Sequence, residues 1–283
     1  MQVGIGLPTT TPGADRGLLL EWARAADLGP FSTLGVFDRL LYDSYDPLIS
    51  LTAAAAVTER VRLATTILTG PLYNTALLAK ATASLDALSG GRLVVGLAVG
   101  ARESDYTAAG IEHRTRGTRL SEQLAALRSH WEEGTIGPKV TPRSTQAGPL
   151  LLTGGMSDQA FVRAARYANG YIHGGGPPHA FSNAAQKARA AWTDAGRPDK
   201  LLLWGMAYYA LGDEAVETGA RYLKDYYAFT GPFAEKIASG LLTTPQAVAQ
   251  FVRGYQEAGC DELILFPTVS HISQLKRLAD VVG

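Results

Sequence analysis

ERVRLATTILTGPLYNTALLAKATASLDALSGGRLVVGLAVGARESDY, residues 59–106, contains a strand, a helix and a second strand in direct succession. Val61–Leu68 is rich in β-branched residues, which favour strands. Thr75–Leu88 is predicted to be a helix that ends at a Ser-Gly-Gly turn. Arg92–Val99 is strongly apolar, which is typical of a parallel strand buried on both faces. This order predicts a parallel sheet covered by helices.

The same alternation continues on both sides of this unit. Further strands are predicted at Val3–Leu7, Thr33–Phe37, Pro149–Thr153, Tyr171–His173, Leu201–Leu211 and Glu262–Phe266. Further helices are predicted at Asp15–Leu28, Pro47–Thr58, Glu103–Ala109, Gly117–Glu133, Ser157–Ala168, Pro178–Ala195, Glu214–Phe229, Pro232–Ser239, Pro245–Ala258 and Ser270–Val282. Gly134–Gly148 is rich in Gly, Pro and Thr and is predicted to be a loop. Eight such units predict one α/β domain over residues 1–283, a (β/α)8 TIM barrel. An open doubly wound sheet, which normally has fewer strands, is the competing architecture.

The composition excludes several classes of function. Twenty-six Lys and Arg residues balance 26 Asp and Glu residues, so nothing electrostatic favours nucleic acid or an anionic membrane as a partner. Cys260 is the single cysteine, and the five histidines lack HxxxH spacing, so no disulfide and no metal site are predicted. The N-terminus has no basic region, and charges interrupt the apolar stretches. We expect a cytoplasmic protein that acts on a small molecule.

Glycines follow several of the predicted strands. In a barrel, chemistry takes place at the C-terminal ends of the strands. The segment Gly154-Gly155-Met156-Ser157 follows the fifth strand and opens a helix, where free amides would hold a phosphate. The alternative is a tight turn in which Ser157 is an ordinary N-cap.

Two more glycine-rich segments lie at the same predicted face. Gly100 permits a ligand to approach closely, and Arg102 would either meet an anion or be a solvated loop arginine. Gly174, Gly175 and Gly176 present bare backbone after the sixth strand, which suits a close ligand or a flexible hinge.

Polar side chains also end several strands. Asp38 ends the second strand, where it would bind or activate a ligand, or simply pair with Arg39. Thr66 ends the third strand, where a small polar residue would pack beneath a planar ring. His173 and His271 lie at or just beyond strand ends, which makes them candidate site residues.

Three stretches resemble the luciferase-like monooxygenase superfamily, which includes deazaflavin-dependent oxidoreductases. They are residues 59–106, residues 21–40 (EWARAADLGPFSTLGVFDRL) and residues 149–176 (PLLLTGGMSDQAFVRAARYANGYIHGGG). The resemblance covers most of the first 180 residues. It implies a (β/α)8 barrel that holds a flavin or deazaflavin, without a covalent link, over the strand ends.

The resemblance also implies specific contacts to the cofactor. A non-proline cis peptide behind the ring would fall at Thr66-Ile67. The cofactor phosphate would lie near the residues that match the family's phosphate site, which are Gly154, Gly155, Met156 and Ser157.

The DRL ending of strand two and the three glycines after strand six resemble the branch that uses coenzyme F420. Sugar-phosphate dehydrogenases of that branch carry a His and a Glu where this chain has Arg39 and Ala101. Alcohol oxidation needs a base, so their absence favours a reductase. Such an enzyme would transfer hydride from reduced F420 to a C=C or C=N bond of a small metabolite, in specialised natural-product metabolism. The candidate proton donors are Asp38, Tyr73 and His173.

Two alternatives stay open at this point. One is a monooxygenase that uses oxygen and reduced flavin mononucleotide (FMN) from a partner reductase. The other is a non-catalytic barrel that binds a ligand or a protein partner. The resemblance also implies a homodimer, although the sequence does not show which helices would pair.

Overall fold

A computed structural model of the protein describes residues 1–131, 142 and 148–283. Eight parallel strands of this part close into a barrel in which each strand pairs with its neighbours in sequence. The first strand completes the ring by pairing with the last strand, with Gln2 opposite Glu262. The predicted TIM barrel is therefore confirmed, and the open sheet is wrong. Almost all of the predicted loop Gly134–Gly148 lies outside the described residues.

Strands and helices alternate as predicted. The strands are β1 (Gln2–Gly6), β2 (Thr33–Val36), β3 (Arg62–Thr69), β4 (Leu93–Ala98), β5 (Leu150–Gly154), β6 (Gly170–Ile172), β7 (Leu202–Tyr209) and β8 (Glu262–Pro267). The described helices are α1 (Arg16–Leu28), α2 (Pro47–Ala55), α3 (Thr75–Leu88), α4 (Glu103–Ala108), α5 (Arg116–Trp131), α6 (Asp158–Tyr167), α7 (Pro178–Asp194), α8 (Asp213–Tyr226), α9 (Phe233–Ser239), α10 (Pro245–Glu257) and α11 (Ser273–Val282). None of these helices combines the length and apolarity needed to cross a membrane.

Three predicted helix boundaries were wrong by about one helical turn. The helix predicted to reach Thr58 ends at Ala55. The helix predicted to reach Phe229 ends at Tyr226, and a 3-10 turn, Ala228–Thr230, follows it. The last helix begins at Ser273 rather than Ser270. Ser270 instead donates its hydroxyl to the Pro12 carbonyl at 2.5 Å, which holds that segment as a loop.

The core consists of a layer inside the barrel and a layer between the barrel and the helices. Inside the barrel, the Phe266 ring packs across Gly6, where a Cβ would lie only 2.1 Å from the ring. In the outer layer, α1 buries Leu19, Trp22 and Ala26 at helical spacing. The filled barrel interior leaves the upper ends of the strands as the place for a ligand.

Arg92 joins the segments that precede β3 and β4 by hydrogen bonds to their backbone. Its guanidinium donates to the carbonyls of Val61 at 2.7 Å, Thr58 at 2.8 Å and Ser89 at 2.7 Å. Arg92→Met would leave these partly buried carbonyls without a charged donor, and we expect the free energy of unfolding to fall by about 2–4 kcal/mol. Arg24, whose side chain is exposed on α1, is the control. Denaturant titration measures both variants, and equal effects of Arg92→Met and Arg24→Met would contradict this role.

Candidate active site

A cavity of about 300 Å³ opens at the C-terminal ends of the strands. This volume is at the lower end of the range of small-molecule sites, roughly 300–1,000 Å³. Its walls come from the ends of β2 to β7 and from the turn after α8. The lining residues are Phe37, Asp38, Arg39, Thr66, Ile67, Thr69, Ala98, Gly100, Ala101, Arg102, Asp105, Gly154, Gly155, Ile172, Gly174, Met206, Tyr226, Tyr227 and Phe229.

The end of β3 forms one wall of the cavity. The Thr66-Ile67 peptide bond is cis, as the sequence resemblance implied, and both residues line the cavity. The Thr66 hydroxyl donates to the Val36 carbonyl at 3.0 Å. This bond ties the non-proline cis peptide to the neighbouring strand.

Bare backbone forms a second wall. Gly154, Gly155 and Gly174 line the cavity, whereas Gly175, Met156 and Ser157 do not. A Cβ on Gly174 would meet no atom within 4 Å, so a side chain there would extend into open space at the cavity wall. A planar ligand has room to approach the backbone at this point.

Met156 and Ser157 follow Gly154 and Gly155 in the chain but do not line the cavity. Ser157 occupies the N-cap position of α6, but its side chain makes no capping hydrogen bond. Ser157 is therefore the N-cap of α6, as the sequence predicts, through its extended backbone and not through a side-chain hydrogen bond. Met156 is 66% exposed, so its side chain faces solvent.

The loop after β4 contributes Gly100 and Arg102. Gly100 has φ +67°, and a Cβ there would come within 2.6 Å of the Thr69 side chain, so this position requires glycine. Arg102 is only 8% exposed and lines the cavity. The alternative of a solvated loop arginine is therefore wrong.

Asp38 is held by two donors. Its Oδ2 accepts from the Thr69 amide at 2.8 Å, and the Tyr73 hydroxyl donates to the same carboxylate. Arg39 turns away and donates to the Tyr226 carbonyl at 3.0 Å. The alternative of an Asp38–Arg39 pair is therefore wrong, and Asp38 lines the cavity.

The surroundings of Asp38 change its acidity. Burial raises the pKa of Asp38 to about 6, the hydrogen bonds from Thr69 and Tyr73 oppose this rise, and the charges of Asp46 and Asp105 add to it. Burial, with the charge of Asp38, raises the pKa of Tyr73 well above its usual value. Asp38 is thus an acid that titrates close to neutral pH, with a protonated tyrosine behind it.

The two candidate histidines lie elsewhere. Ile172 points into the cavity, and His173, the next residue, points to the other side of the barrel wall, 5.9 Å from the Phe181 ring. Burial lowers the pKa of His173. His271 is exposed and accepts from the Ser273 amide at 3.2 Å at the start of α11. The structure does not bring either histidine to the cavity.

Aromatic residues at the end of α8 and just after it were not expected in the site. Tyr226, Tyr227 and Phe229 line the cavity because the helix ends at Tyr226 and the chain turns back over the strand ends. Asp105 also lines the cavity and was not predicted. The dense aromatic residues of DYYAF, residues 225–229, were a signal for this wall. The helix predicted to reach Phe229 included them, however, so the turn of the chain over the strand ends was not predicted.

A (β/α)8 barrel with a ligand cavity over its strand ends has the architecture of a barrel enzyme. The family model for luciferase-like monooxygenases matches residues 1–259, and the chain belongs to this family. The family resemblance found in the sequence is thereby confirmed. The superfamily comprises oxidoreductases and monooxygenases.

Curated relatives match the chain over part of its length. An uncharacterised protein of Mycobacterium tuberculosis is 36% identical over 158 residues, which cover 52% of this chain and 54% of the relative. A pyrimidine monooxygenase of Pseudomonas syringae is 29% identical over 189 residues, which cover 60% of this chain and 52% of the relative. The chain spans about half the length of the curated relatives it matches.

Solved structures match the whole barrel at low sequence identity. An F420-dependent secondary alcohol dehydrogenase in complex with an F420-acetone adduct aligns with a TM-score of 0.80 and 19% identity, over 100% of this chain and 99% of that one. A monooxygenase from Streptomyces bottropensis aligns with a TM-score of 0.79 and 22% identity, over 99% and 97% of the two chains. At this identity the likeness establishes the fold.

Proposed function

We propose that this protein is a coenzyme F420-dependent reductase that adds hydride to a C=C or C=N bond of a small metabolite. The observation that carries the proposal is the Asp38 carboxyl, which lies at the cavity wall with a pKa of about 6. A reductase that adds hydride must also add a proton, and an acid that titrates near the working pH is suited to that task. A separate reductase would regenerate the reduced cofactor.

The cavity wall fits a planar deazaflavin. The ring would rest against the Thr66-Ile67 peptide, and its tail would lie along Gly154 and Gly155. The open space at Gly174 leaves room for the edge of such a ring. When bound, the reduced deazaflavin supplies two electrons as hydride.

The residues of the chain would hold the proton donor in place, donate a proton and exclude water. Asp38 would donate its proton to the substrate atom next to the one that gains hydride, and then take up a proton from solvent. Tyr73 and the Thr69 amide hold the Asp38 carboxyl in one orientation throughout. The aromatic wall of Tyr226 and Tyr227 would exclude water from the substrate.

The second candidate is an FMN-dependent monooxygenase that uses reduced flavin and oxygen. The identity to a pyrimidine monooxygenase, over 60% of this chain, favours it. Titration of the purified protein with F420 and with FMN, followed by fluorescence, separates the two candidates. We expect saturable binding of F420 and substrate reduction without oxygen. Tight binding of FMN with oxygen uptake would overturn the proposal.

The pH dependence of the reaction is a separate prediction. Burial raises the pKa of Asp38 from its ordinary value to about 6, so the proton-donating form persists up to that pH and is lost above it. We expect kcat/KM to be constant well below pH 6, to be halved at about pH 6 and to fall about tenfold for each pH unit well above it. Initial rates between pH 5 and 8, with cofactor occupancy checked at each pH, measure this profile.

Tyr73→Phe is the matched variant for the pH profile. It removes a hydrogen bond that favours the charged carboxylate, so the pKa of Asp38 should rise and the fall in kcat/KM should move to higher pH. An unchanged profile in Tyr73→Phe, or a flat profile in the original protein, would remove Asp38 from the proton-donating role.

A further inference from the structure

Two arginines line the cavity from the loops that follow β2 and β4. These are Arg39 and Arg102, respectively. The Nη1 of Arg39 and the Nη2 of Arg102 each donate to the Tyr226 carbonyl at 3.0 Å. Two guanidinium groups therefore share one acceptor at the same point of the wall.

Several N–H donors of these two guanidinium groups have no hydrogen-bond partner in the described protein. Within the described protein, the Nε and Nη1 of Arg102 have no hydrogen-bond partner, although Arg102 is only 8% exposed. The Nη1 of Arg102 has Asp105 Oδ2 at 3.8 Å, which is an ion pair without a hydrogen bond. The Nε of Arg39 also lacks a partner. Buried, unfilled guanidinium donors are costly, so an acceptor in the cavity would stabilise them.

Aromatic rings lie beside both arginines. The guanidinium carbon of Arg102 lies 4.1 Å from the Phe229 ring centre, and that of Arg39 lies 4.5 Å from the Tyr226 ring centre. Stacking on a ring leaves the edge of a guanidinium free to bind a carboxylate with two parallel hydrogen bonds. The same rings offer a surface for a planar, conjugated ligand.

We propose that Arg39 and Arg102 bind the carboxylate of the substrate, which is an α,β-unsaturated organic acid with a conjugated plane. This assignment rests on the proposed reductase function and names its substrate class. Below about pH 6, where Asp38 is protonated, two arginines against Asp105 leave one net positive charge, which matches a monoanion.

The reaction balances with these groups. A reduced deazaflavin held against the Thr66-Ile67 peptide would supply hydride to the β carbon of the acid, and the electrons of the C=C bond would move towards the carboxylate. The two guanidinium groups stabilise that added negative charge. Asp38 then gives a proton to the α carbon, which yields the saturated acid and the oxidised cofactor.

Isothermal titration calorimetry with trans-cinnamate and its neutral amide, cinnamamide, tests the assignment on the purified protein with and without oxidised F420. We expect cinnamate to bind, and its affinity to fall at least tenfold in Arg102→Met and in Arg39→Met. Cinnamamide should bind weakly, and with equal affinity, to the original protein and to both variants. Arg102→Lys should retain part of the affinity for cinnamate that Arg102→Met loses. Arg24→Met, on the exposed face of α1, is the control and should bind cinnamate normally.

Three results would overturn the assignment: no binding of cinnamate to the original protein, equal affinity for acid and amide, or parallel losses for both ligands in the arginine variants. If Arg102→Met fails to fold by circular dichroism, the less buried Arg39→Met decides the question. Binding of F420 is measured separately. Failure of F420 to bind would overturn the proposed reductase function. An arginine-dependent preference for the acid over the amide would still identify the carboxylate site.

Discussion

Asp38→Asn is expected to lower kcat/KM of the cofactor-loaded protein by about 10²–10⁴-fold, the usual contribution of a general acid. The amide has the size of the carboxyl, and its oxygen can still accept from the Thr69 amide. The amide is not acidic, so it cannot transfer a proton to the substrate at neutral pH. Because burial disfavours the charged carboxylate, the neutral amide should not destabilise the fold. Steady-state rates with reduced F420 measure the loss.

The control for this variant is Asp43→Asn, on an exposed part of the same loop. Its rate and its affinity for F420 should equal those of the original protein. In Asp38→Asn, F420 should still bind with unchanged affinity, which separates loss of the proton donor from loss of the cofactor. A fall of less than threefold in kcat/KM would mean that another group supplies the proton.

Gly174→Leu is expected to weaken the binding of F420 at least tenfold, which corresponds to about 1.4 kcal/mol. A side chain at this position meets no protein atom within 4 Å, so it would occupy the space proposed for the ring. The fold should be unaffected, because the backbone of Gly174 does not have positive φ. Fluorescence titration measures affinity, and thermal unfolding measures the melting temperature Tm.

Gly240→Leu is the matched control. Gly240 is exposed beyond α9, has φ −85°, and a Cβ there would make only ordinary contacts, the nearest at 3.4 Å. Both variants add the same apolar side chain to a glycine with room for it. Equal affinity for F420 in Gly174→Leu and Gly240→Leu would show that the cofactor does not pass Gly174.

Local sequence signals were sufficient where they agreed with the tertiary structure. α3 was predicted to the residue, and the glycines of the predicted Ser-Gly-Gly turn have positive φ and follow its end. In the structure, Asn74 caps its start by accepting from two amides. The alternation of such units also predicted the barrel. The cis peptide at Thr66-Ile67 had a different origin, since only the family resemblance implied it.

Side-chain direction at the strand ends was harder to predict. His173 was placed at the correct end of the correct strand, but the alternation along β6 turns Ile172 inward and His173 outward. A shift of one residue in the strand would reverse that outcome. Position at a strand end therefore identifies a face of the barrel but not which side chains enter the cavity.

The arginine and aromatic wall could not be derived from local patterns. Arg39 looked like a partner for Asp38, yet it bonds to Tyr226, which is 187 residues away in sequence. Arg102 donates to the same carbonyl, although it lies 124 residues from Tyr226 in sequence. Contacts of this kind follow from closure of the barrel, so they become visible only in three dimensions.

A crystal structure of the protein with oxidised F420 bound tests the central claim most directly. We predict the deazaflavin ring against the Thr66-Ile67 peptide, its phosphate-bearing tail beside Gly154 and Gly155, and the carboxyl of Asp38 facing the space above the ring. Density for F420 outside this cavity, or an empty cavity at saturating F420, would contradict the account.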